Sequence, residues 1–261
     1  KKLVTKLWNA TAFAAIHLSK IEGAPTTAAQ DVKSGRISEP LDLWILTRLQ
    51  RTVEKATREF EGYEYCDARV AIEDFFWNDF CDNYLELVKK RVYDEDKKDP
   101  EGQMSAVHTI ALCLDIILRA FAPFLPHITE ELWCHIFPAK YAATKSIHAC
   151  GTWPLAEELL TDAAAHEAGT AALELLEAIR KAKSEKGVSI KWPIEQMTVT
   201  TQNTQHITLP DDLQLDLLSA GNVHAIHWKE KAASDAVTTE GGNFALSFAF
   251  AAQSDAAAGA F

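Results

Sequence analysis

The chain has 261 residues, 48% of them hydrophobic, so it is long enough for one large domain or two smaller ones with a packed core. Its formal net charge of −11 at pH 7 excludes binding of polyanions over the whole surface and leaves only local basic patches for contact with nucleic acid. The five cysteines form no CxxC pair and the nine histidines no HExxH pattern, so neither a metal site nor a disulfide framework is predicted.

Cysteine usage and the apolar pattern together predict a cytoplasmic protein with reduced thiols and no contact with membranes. The longest apolar stretch, residues 110–125, is interrupted by Asp115 and Arg119, so it does not predict a membrane span. The first residues, Lys1-Lys2-Leu3, already follow a helical pattern without a methionine. We therefore expect the chain to be a piece of a longer protein.

In chain order, apolar residues recur at helical spacing over most of the first 190 residues. Gly23 and Pro25 end the first helix, and a polar linker follows to Pro40. A charged loop is expected at residues 94–100. Thr161 is the predicted N-cap of the last long helix, which ends near Gly187. The pattern predicts helices near residues 3–18, 41–61, 67–93, 104–121, 127–137 and 161–186.

The period changes after Gly187, where residues 197–200, 223–228 and 244–250 alternate like strands and residues 211–219 read as a helix between them. The predicted fold is therefore mainly α. We expect a helical bundle over residues 1–190 and a small α+β subdomain over residues 191–261, with a frayed tail at residues 256–261.

Residues 75–91 form the densest cluster of aromatic, acidic and basic side chains, within about five helical turns. The structural interpretation is a buried aromatic stripe with a solvated acidic edge. Large apolar residues at helical spacing usually belong to the core, so we also expect Trp8, Trp44, Phe75 and Trp133 to be buried.

Five segments in the same order resemble the anticodon-binding bundle of class I aminoacyl-tRNA synthetases. The resemblance covers roughly residues 1–195 and implies a helical bundle that docks on the anticodon stem and loop of a tRNA. The segments are KLWNA at 6–10, LDLWILTRL at 41–49, the aromatic run at 75–91, FAPFLPHITEELW at 121–133, and SIH with WP and IRKAKSEK between 146 and 186.

Within that family, the pattern FCD at 80–82 followed by YLE at 84–86 and VK at 88–89 is most similar to valyl-tRNA synthetase. The isoleucyl and leucyl enzymes share the PFLPHI and EELW patterns, so the same module from either of those enzymes is an alternative. The chain carries neither the HIGH nor the KMSKS signature of the adenylating domain, and it resembles the part that follows KMSKS. No catalytic residue, cofactor or metal is therefore expected here, and the ATP and Mg²⁺ of the parent enzyme would bind elsewhere.

Basic side chains are the candidate contacts with RNA, because the phosphate backbone dominates such binding. Asn9 is a further candidate, since it matches the family's Trp-Asn-Ala, although this chain has Ala12 where the family commonly has an arginine. Solvated helix ends are the alternative explanation for the basic residues. The candidates are Arg180, Lys181, Lys183, Lys186 and Lys191, then Lys89, Lys90 and Arg91.

The resemblance implies two partners for the chain, the anticodon stem-loop of tRNA(Val) and the catalytic domain of the parent chain. We expect the chain to be a monomer. A hypothesis from another class is a helical protein-interaction domain, which the acidic charge would suit. The strands after residue 195 carry few positive charges, which favours a structural role for that subdomain.

Overall fold

The computed structural model describes residues 2–18, 27–94, 98–138, 142–143, 145–149, 152–202, 209–234 and 236–252. The start of the expected linker, the centre of the expected charged loop and the expected frayed tail lie outside these residues. The chain separates into two compact units, Lys1–His166 and Glu167–Phe261. The predicted fold class, a helical bundle followed by a small α+β unit, is confirmed.

The first unit is built from helices whose positions agree closely with the amphipathic pattern. A continuous helical run begins at Tyr65, and its central part is a π-helix, π1, between α4 and α5. The elements are α1 (Lys2–Leu18), α2 (Ala28–Lys33), α3 (Pro40–Glu61), α4 (Tyr65–Asp74), π1 (Phe75–Tyr84), α5 (Leu85–Val92), α6 (Pro100–Phe121), α7 (Pro126–Ile136) and a 3₁₀ turn (Ala156–Glu158).

Helix α2 lies where the sequence predicted only a linker. Thr27 caps it, accepting from the Gln30 N–H at 3.3 Å while its own N–H donates to Oε1 of Gln30 at 3.4 Å, which makes a capping box. Ala28 and Asp31 are buried, so the helix is held by packing as well as by its cap. Six residues are too few for a periodic signal, which explains why the sequence pattern did not reveal it.

The π1 segment was not predicted, because its residues look helical in either geometry. The N–H of Leu85 donates to the carbonyl of Phe80, five residues back, which is the π pattern. Phe76 stacks on Phe80 at 6.3 Å between ring centroids, and Phe80 on Tyr84 at 6.0 Å. These three rings are fully buried, which confirms the predicted aromatic stripe.

Helix α6 forms the centre of the first unit, with nearly every side chain from Ser105 to Phe121 buried. By length and composition it is the one helix among the described residues that could cross a membrane, but 94% of its apolar window is buried, as in the core helix of a soluble domain. The predicted burial of Trp44, Phe75 and Trp133 is confirmed.

The second unit contains most of helix α8 (Ala163–Glu185), a four-stranded sheet and helix α9. The sheet order is β2-β1-β4-β3, with β1 parallel to β2 and antiparallel to β4. Met197 of β1 is paired with Ile226 on one side and with Phe248 on the other. The remaining elements are β1 (Ile194–Thr201), α9 (Asp211–Gly221), β2 (Ile226–Trp228), β3 (Val237–Thr238) and β4 (Phe244–Phe250).

The start of α8 corrects one detail of the sequence analysis. Asp162, and not Thr161, caps the helix, because its Oδ1 accepts from the N–H of Ala165 at 2.8 Å. The N–H of Asp162 in turn donates to the hydroxyl of Thr47 on α3 at 3.0 Å. The division into a bundle over residues 1–190 and a small subdomain over residues 191–261 stays a prediction.

Candidate nucleic-acid interface

A groove in the first unit brings together two of the residues that the sequence analysis named. Helix α1 supplies Lys6, Asn9 and Phe13, and α5 supplies Leu85 and Lys89. Cys81, Ala10 and Glu86 complete the lining of this cavity, which has a volume of about 240 Å³. Asn9 and Lys89 are exposed, so the side-chain amide of Asn9 and the ammonium of Lys89 are accessible to solvent. We call this cavity the α1–α5 groove.

The charges of the groove are paired locally. The Nζ of Lys6 lies 2.8 Å from Oδ1 of Asp82 and 5.0 Å from the centre of the Trp77 ring. Burial acts to lower the pKa of Lys6, but the hydrogen bond to Asp82 and the neighbouring negative charges outweigh it, so the pKa is raised and the ammonium is kept. Lys89 lies 3.4 Å from Glu86, a distance at which the pair is weak.

Arg91 does not belong to the groove, although it follows Lys89 and Lys90 in sequence. Its side chain is only 9% exposed, and its guanidinium donates to both carboxylate oxygens of Asp42 at 3.1 Å. Lys90 is exposed on the surface of α5. The predicted basic triplet therefore consists of two surface lysines and one arginine of the core.

The second predicted patch is likewise divided by the fold. Lys181 is exposed and forms an ion pair with Glu240 at 2.8 Å. The Nζ of Lys186 lies over the ring of Phe250, 4.5 Å from its centre, and Lys191 is exposed on the loop before β1. Arg180 is partly exposed on α8. These side chains share one stretch of sequence but have different environments.

Lys183, the centre of that patch in the sequence, is almost completely buried, with 1% of its surface exposed. Its Nζ donates to the carbonyl of Ile190 at 2.8 Å and to that of Gly221 at 2.7 Å. Burial lowers the pKa of this lysine. The ammonium thus joins α8, the loop before β1 and the end of α9. RNA binding by Lys183 stays a prediction, but its Nζ already has two protein acceptors.

The expectation that Trp8 belongs to the core was wrong. Trp8 is 51% exposed on α1, beside Asn9. Ile16, eight residues further along the same helix, is 63% exposed. Phe13 and His17 instead turn towards Tyr93, with ring centroids 5.9 Å and 4.8 Å from it. The sequence could have predicted this exposure, because apolar residues occur all around α1. A helix that buries only one face leaves some of them exposed to solvent.

A row of basic residues on α3 was also missed by the sequence analysis. Arg48, Arg51 and Lys55 lie on one face of the helix, three and four residues apart. They line a cavity of about 320 Å³ whose opposite wall comes from α4 and π1. The spacing alone would have revealed the row, but α3 was assessed mainly for its buried face.

The helical bundle, the terminal sheet and these polar surfaces agree with the comparison of the chain with known families. Residues 42–199 match the family described as the anticodon-binding domain of tRNA ligase. This chain belongs to that family of domains.

Curated relatives are valine–tRNA ligases. The chain is 39% identical to that of Wolbachia sp. subsp. Brugia malayi over 247 residues, covering 95% of this chain and 27% of the relative. It is 39% identical to that of Orientia tsutsugamushi over 245 residues, covering 92% of this chain and 28% of the relative. The chain thus spans little more than a quarter of the length of these proteins.

Proposed function

We propose that this chain is the part of a valine–tRNA ligase that binds the anticodon stem-loop of tRNA(Val). The α1–α5 groove is the observation that carries the proposal, because it joins the exposed amide of Asn9, the ring of Phe13 and the ammonium of Lys89 in one cavity. Loop bases of RNA are recognised by stacking on aromatic rings and by hydrogen bonds to their edges, while cations fix the phosphates. The groove combines all three kinds of side chain.

The proposed mechanism is binding and positioning. Asn9 carries both a donor and an acceptor for a base edge, Phe13 an apolar surface, and Lys6 and Lys89 positive charge for neighbouring phosphates. Lys90, Lys186 and Lys191 are further exposed cations that would add to the salt-dependent part of the affinity. Lys183 and Arg91 are excluded from the proposed contacts, because their charged groups bind protein atoms in the interior.

Aminoacylation itself is proposed to take place in another part of the parent protein, in the cytoplasm. That part would bind ATP and Mg²⁺, and this chain would hold the tRNA while the acceptor end reaches it. We propose that the chain acts as a monomer. The parts of the relatives that lie beyond this chain leave room for such a catalytic domain.

The choice of valine rests on the relatives, which are valine–tRNA ligases at 38–39% identity. The same module from an isoleucyl- or leucyl-tRNA synthetase is the closest alternative. A helical protein-interaction domain is the alternative of a different class, and the net charge of −11 is the observation that favours it.

The test is a titration of the whole chain with tRNA(Val), with tRNA(Val) carrying a changed anticodon loop, and with tRNA(Ile), each at several salt concentrations. We expect binding that is tightest for tRNA(Val), weaker for the altered loop, and weakened by salt. Binding that ignores the loop would leave docking on RNA without anticodon readout. No binding of any of the three would exclude the RNA module and favour the protein-interaction domain.

Variants locate the contact. Asn9→Ala should weaken binding of tRNA(Val) more than binding of the loop-altered tRNA, because a lost base contact acts on sequence preference. Lys89→Ala should weaken all three equally and lower the slope of log affinity against log salt by about 1. Lys33→Ala, which removes an exposed lysine of α2 outside the groove, is the matched control.

A further inference from the structure

The basic row on α3 forms one wall of a cleft separate from the α1–α5 groove, with which it shares no lining residue. Arg48, Arg51 and Lys55 project from the same face of the helix, and the hydroxyl-bearing Thr52 lies between them. The opposite wall contains the apolar residues Val70, Ala71 and Phe75 and the two acids Asp74 and Asp79. Three cations thus converge on a cavity of about 320 Å³.

Pairing of charges in the cleft leaves a positive excess. Arg48 donates through Nε and Nη2 to one oxygen of Asp79, at 3.1 and 2.7 Å. Asp74 accepts from the side-chain amide of Asn78 at 2.6 Å. Among the described residues, no carboxylate lies within 4.0 Å of the charged groups of Arg51 or Lys55. The charges of these two cations are therefore not neutralised by a carboxylate of the described residues.

His166 lies beside the cations of the cleft. An Nη1 of Arg51 lies 2.6 Å from Nε2 of His166. Because a guanidinium can only donate, Nε2 must be the accepting, unprotonated nitrogen. The pKa of His166 is lowered, first by burial and then by the charges of Arg51 and Arg48. The imidazole is thus uncharged beside the cations, and its pKa should respond to any anion that binds to them.

We propose that Arg51 and Lys55, supported by Arg48, form a phosphate-binding cleft that takes a backbone phosphate of RNA. The assignment to RNA rests on the proposed function, whereas the cleft itself rests on the charges. A planar guanidinium fork beside an ammonium suits a backbone phosphate, since the fork can bind its two non-bridging oxygens and the ammonium adds a second positive charge beside them. Asp79, on the opposite wall, forms an ion pair with Arg48 across the cleft.

The first experiment measures tRNA binding of the whole chain at several salt concentrations. The double variant Arg51→Gln/Lys55→Gln should lower the slope of log affinity against log salt by about 1, because the single phosphate bound by the two cations contributes about one counterion. The matched control is Arg58→Gln/Lys33→Gln, which removes two exposed cations outside the cleft, the first from the same helix. Equal slopes for the two variants would overturn the proposal.

The second experiment follows the imidazole resonance of His166 by NMR while the pH is varied, with and without inorganic phosphate. Phosphate bound in the cleft offsets the cations and should raise the pKa of His166. The rise should disappear in Arg51→Gln/Lys55→Gln and persist in the control variant. No effect of phosphate, or an equal effect in both variants, would overturn the cleft.

The two experiments separate the cleft from the proposed function. If tRNA binds but neither the slope nor the His166 pKa responds to the double variant, the anticodon-binding function survives and the cleft fails. If no tRNA binds but phosphate raises the His166 pKa, the cleft holds free phosphate and its assignment to RNA is wrong. A lowered slope together with a responsive His166 supports both.

Discussion

Asp42 and Arg91 lie 49 residues apart in sequence and form a buried ion pair, in which both guanidinium ends contact the carboxylate at 3.1 Å. Tyr84 donates its hydroxyl to Oδ1 of Asp42 at 2.8 Å, and Ser105 donates to Oδ2 at 2.5 Å. The carboxylate is thus surrounded by donors from π1, α5 and α6. Burial and the adjacent Asp42 raise the pKa of Tyr84 well above its usual value, so the phenol remains a donor.

Removing one partner of this pair should be among the most destabilising changes in the first unit. Arg91→Met leaves the Asp42 carboxylate buried without its cation, and we expect the free energy of unfolding to fall by about 3–5 kcal/mol. Lys90→Met, the neighbouring exposed lysine, should change it by no more than about 0.5 kcal/mol. Urea denaturation of both variants is the measurement. Equal stabilities would show that Arg91 is dispensable for the fold.

Lys183→Met should destabilise the chain without acting on RNA contacts. The carbonyls of Ile190 and Gly221 would lose their donor, which costs about 1–3 kcal/mol for buried groups left unsatisfied. Lys181→Met, on the same helix, removes only an exposed ion pair and should cost less than about 1 kcal/mol. Denaturation gives the stability. The slope of log affinity for tRNA against log salt, measured on folded protein, should be the same in the Lys183 variant as in the unchanged chain. A lower slope would show that Lys183 contacts RNA after all.

Gly221 at the end of α9 lies so close to α8 that an added methyl group would have to displace the end of the Ile179 side chain. A Cβ there would lie 2.9 Å from Cδ1 of Ile179 and 3.2 Å from Cγ2 of Val223. Gly221→Ala should therefore lower the free energy of unfolding by about 1–3 kcal/mol. Ile179→Val removes the clashing carbon, so the double variant should be more stable than additivity predicts.

Gly187 is the control for this pair of substitutions. It has φ +68° with open space around it, so Gly187→Ala acts through backbone strain alone, worth about 1–2 kcal/mol. Ile179→Val should not relieve the cost at Gly187. A double-mutant cycle by urea denaturation measures both couplings, and equal values would refute the steric explanation.

His108 should make the stability depend on pH in the mildly acidic range. Burial lowers the pKa of this buried histidine from 6.5, with a further decrease from Arg36 and an opposing effect of Asp31. Because the unfolded state binds the proton more tightly, the free energy of unfolding should fall as the pH drops below about 6.5 towards the folded pKa. His108→Gln should flatten this dependence, measured by denaturation at a series of pH values. His135→Gln, at an exposed site on α7, should leave it in place.

Most long helices of the first unit were predictable because each buries one face, and the apolar period records that face. Helix α6 is buried on nearly all sides and was predictable because its residues are almost all apolar. Short or unusual elements were not. Helix α2 has six residues, and the π geometry of residues 75–84 depends on the tertiary fit of Phe80 and its neighbours. The N-cap was placed one residue early, at Thr161, because both Thr161 and Asp162 are suitable caps and only the contact with Ala165 distinguishes them.

The candidate site was less predictable than the fold, because the sequence does not show whether a charged side chain is exposed or buried in the folded protein. Lys183 and Arg91 looked like surface cations, but each has acceptors contributed from distant parts of the chain. Trp8 looked like a core residue, but its face of α1 is exposed. The spacing of Arg51 and Lys55 was visible in the sequence, but the cleft beside them is formed with α4 and π1, whose position next to α3 the sequence does not show.

The burial of Lys183 also makes it a chemical reporter of the second unit. An amine-acylating reagent reacts only with an accessible, uncharged amine. The lowered pKa of Lys183 favours the uncharged form, but burial keeps the reagent away from the amine. Exposed amines such as those of Lys186 and Lys191 should be acylated quickly in the native protein, and Lys183 only when its segment opens. The rate at which Lys183 is acylated, read by mass spectrometry, would therefore measure local opening of this unit without any introduced label.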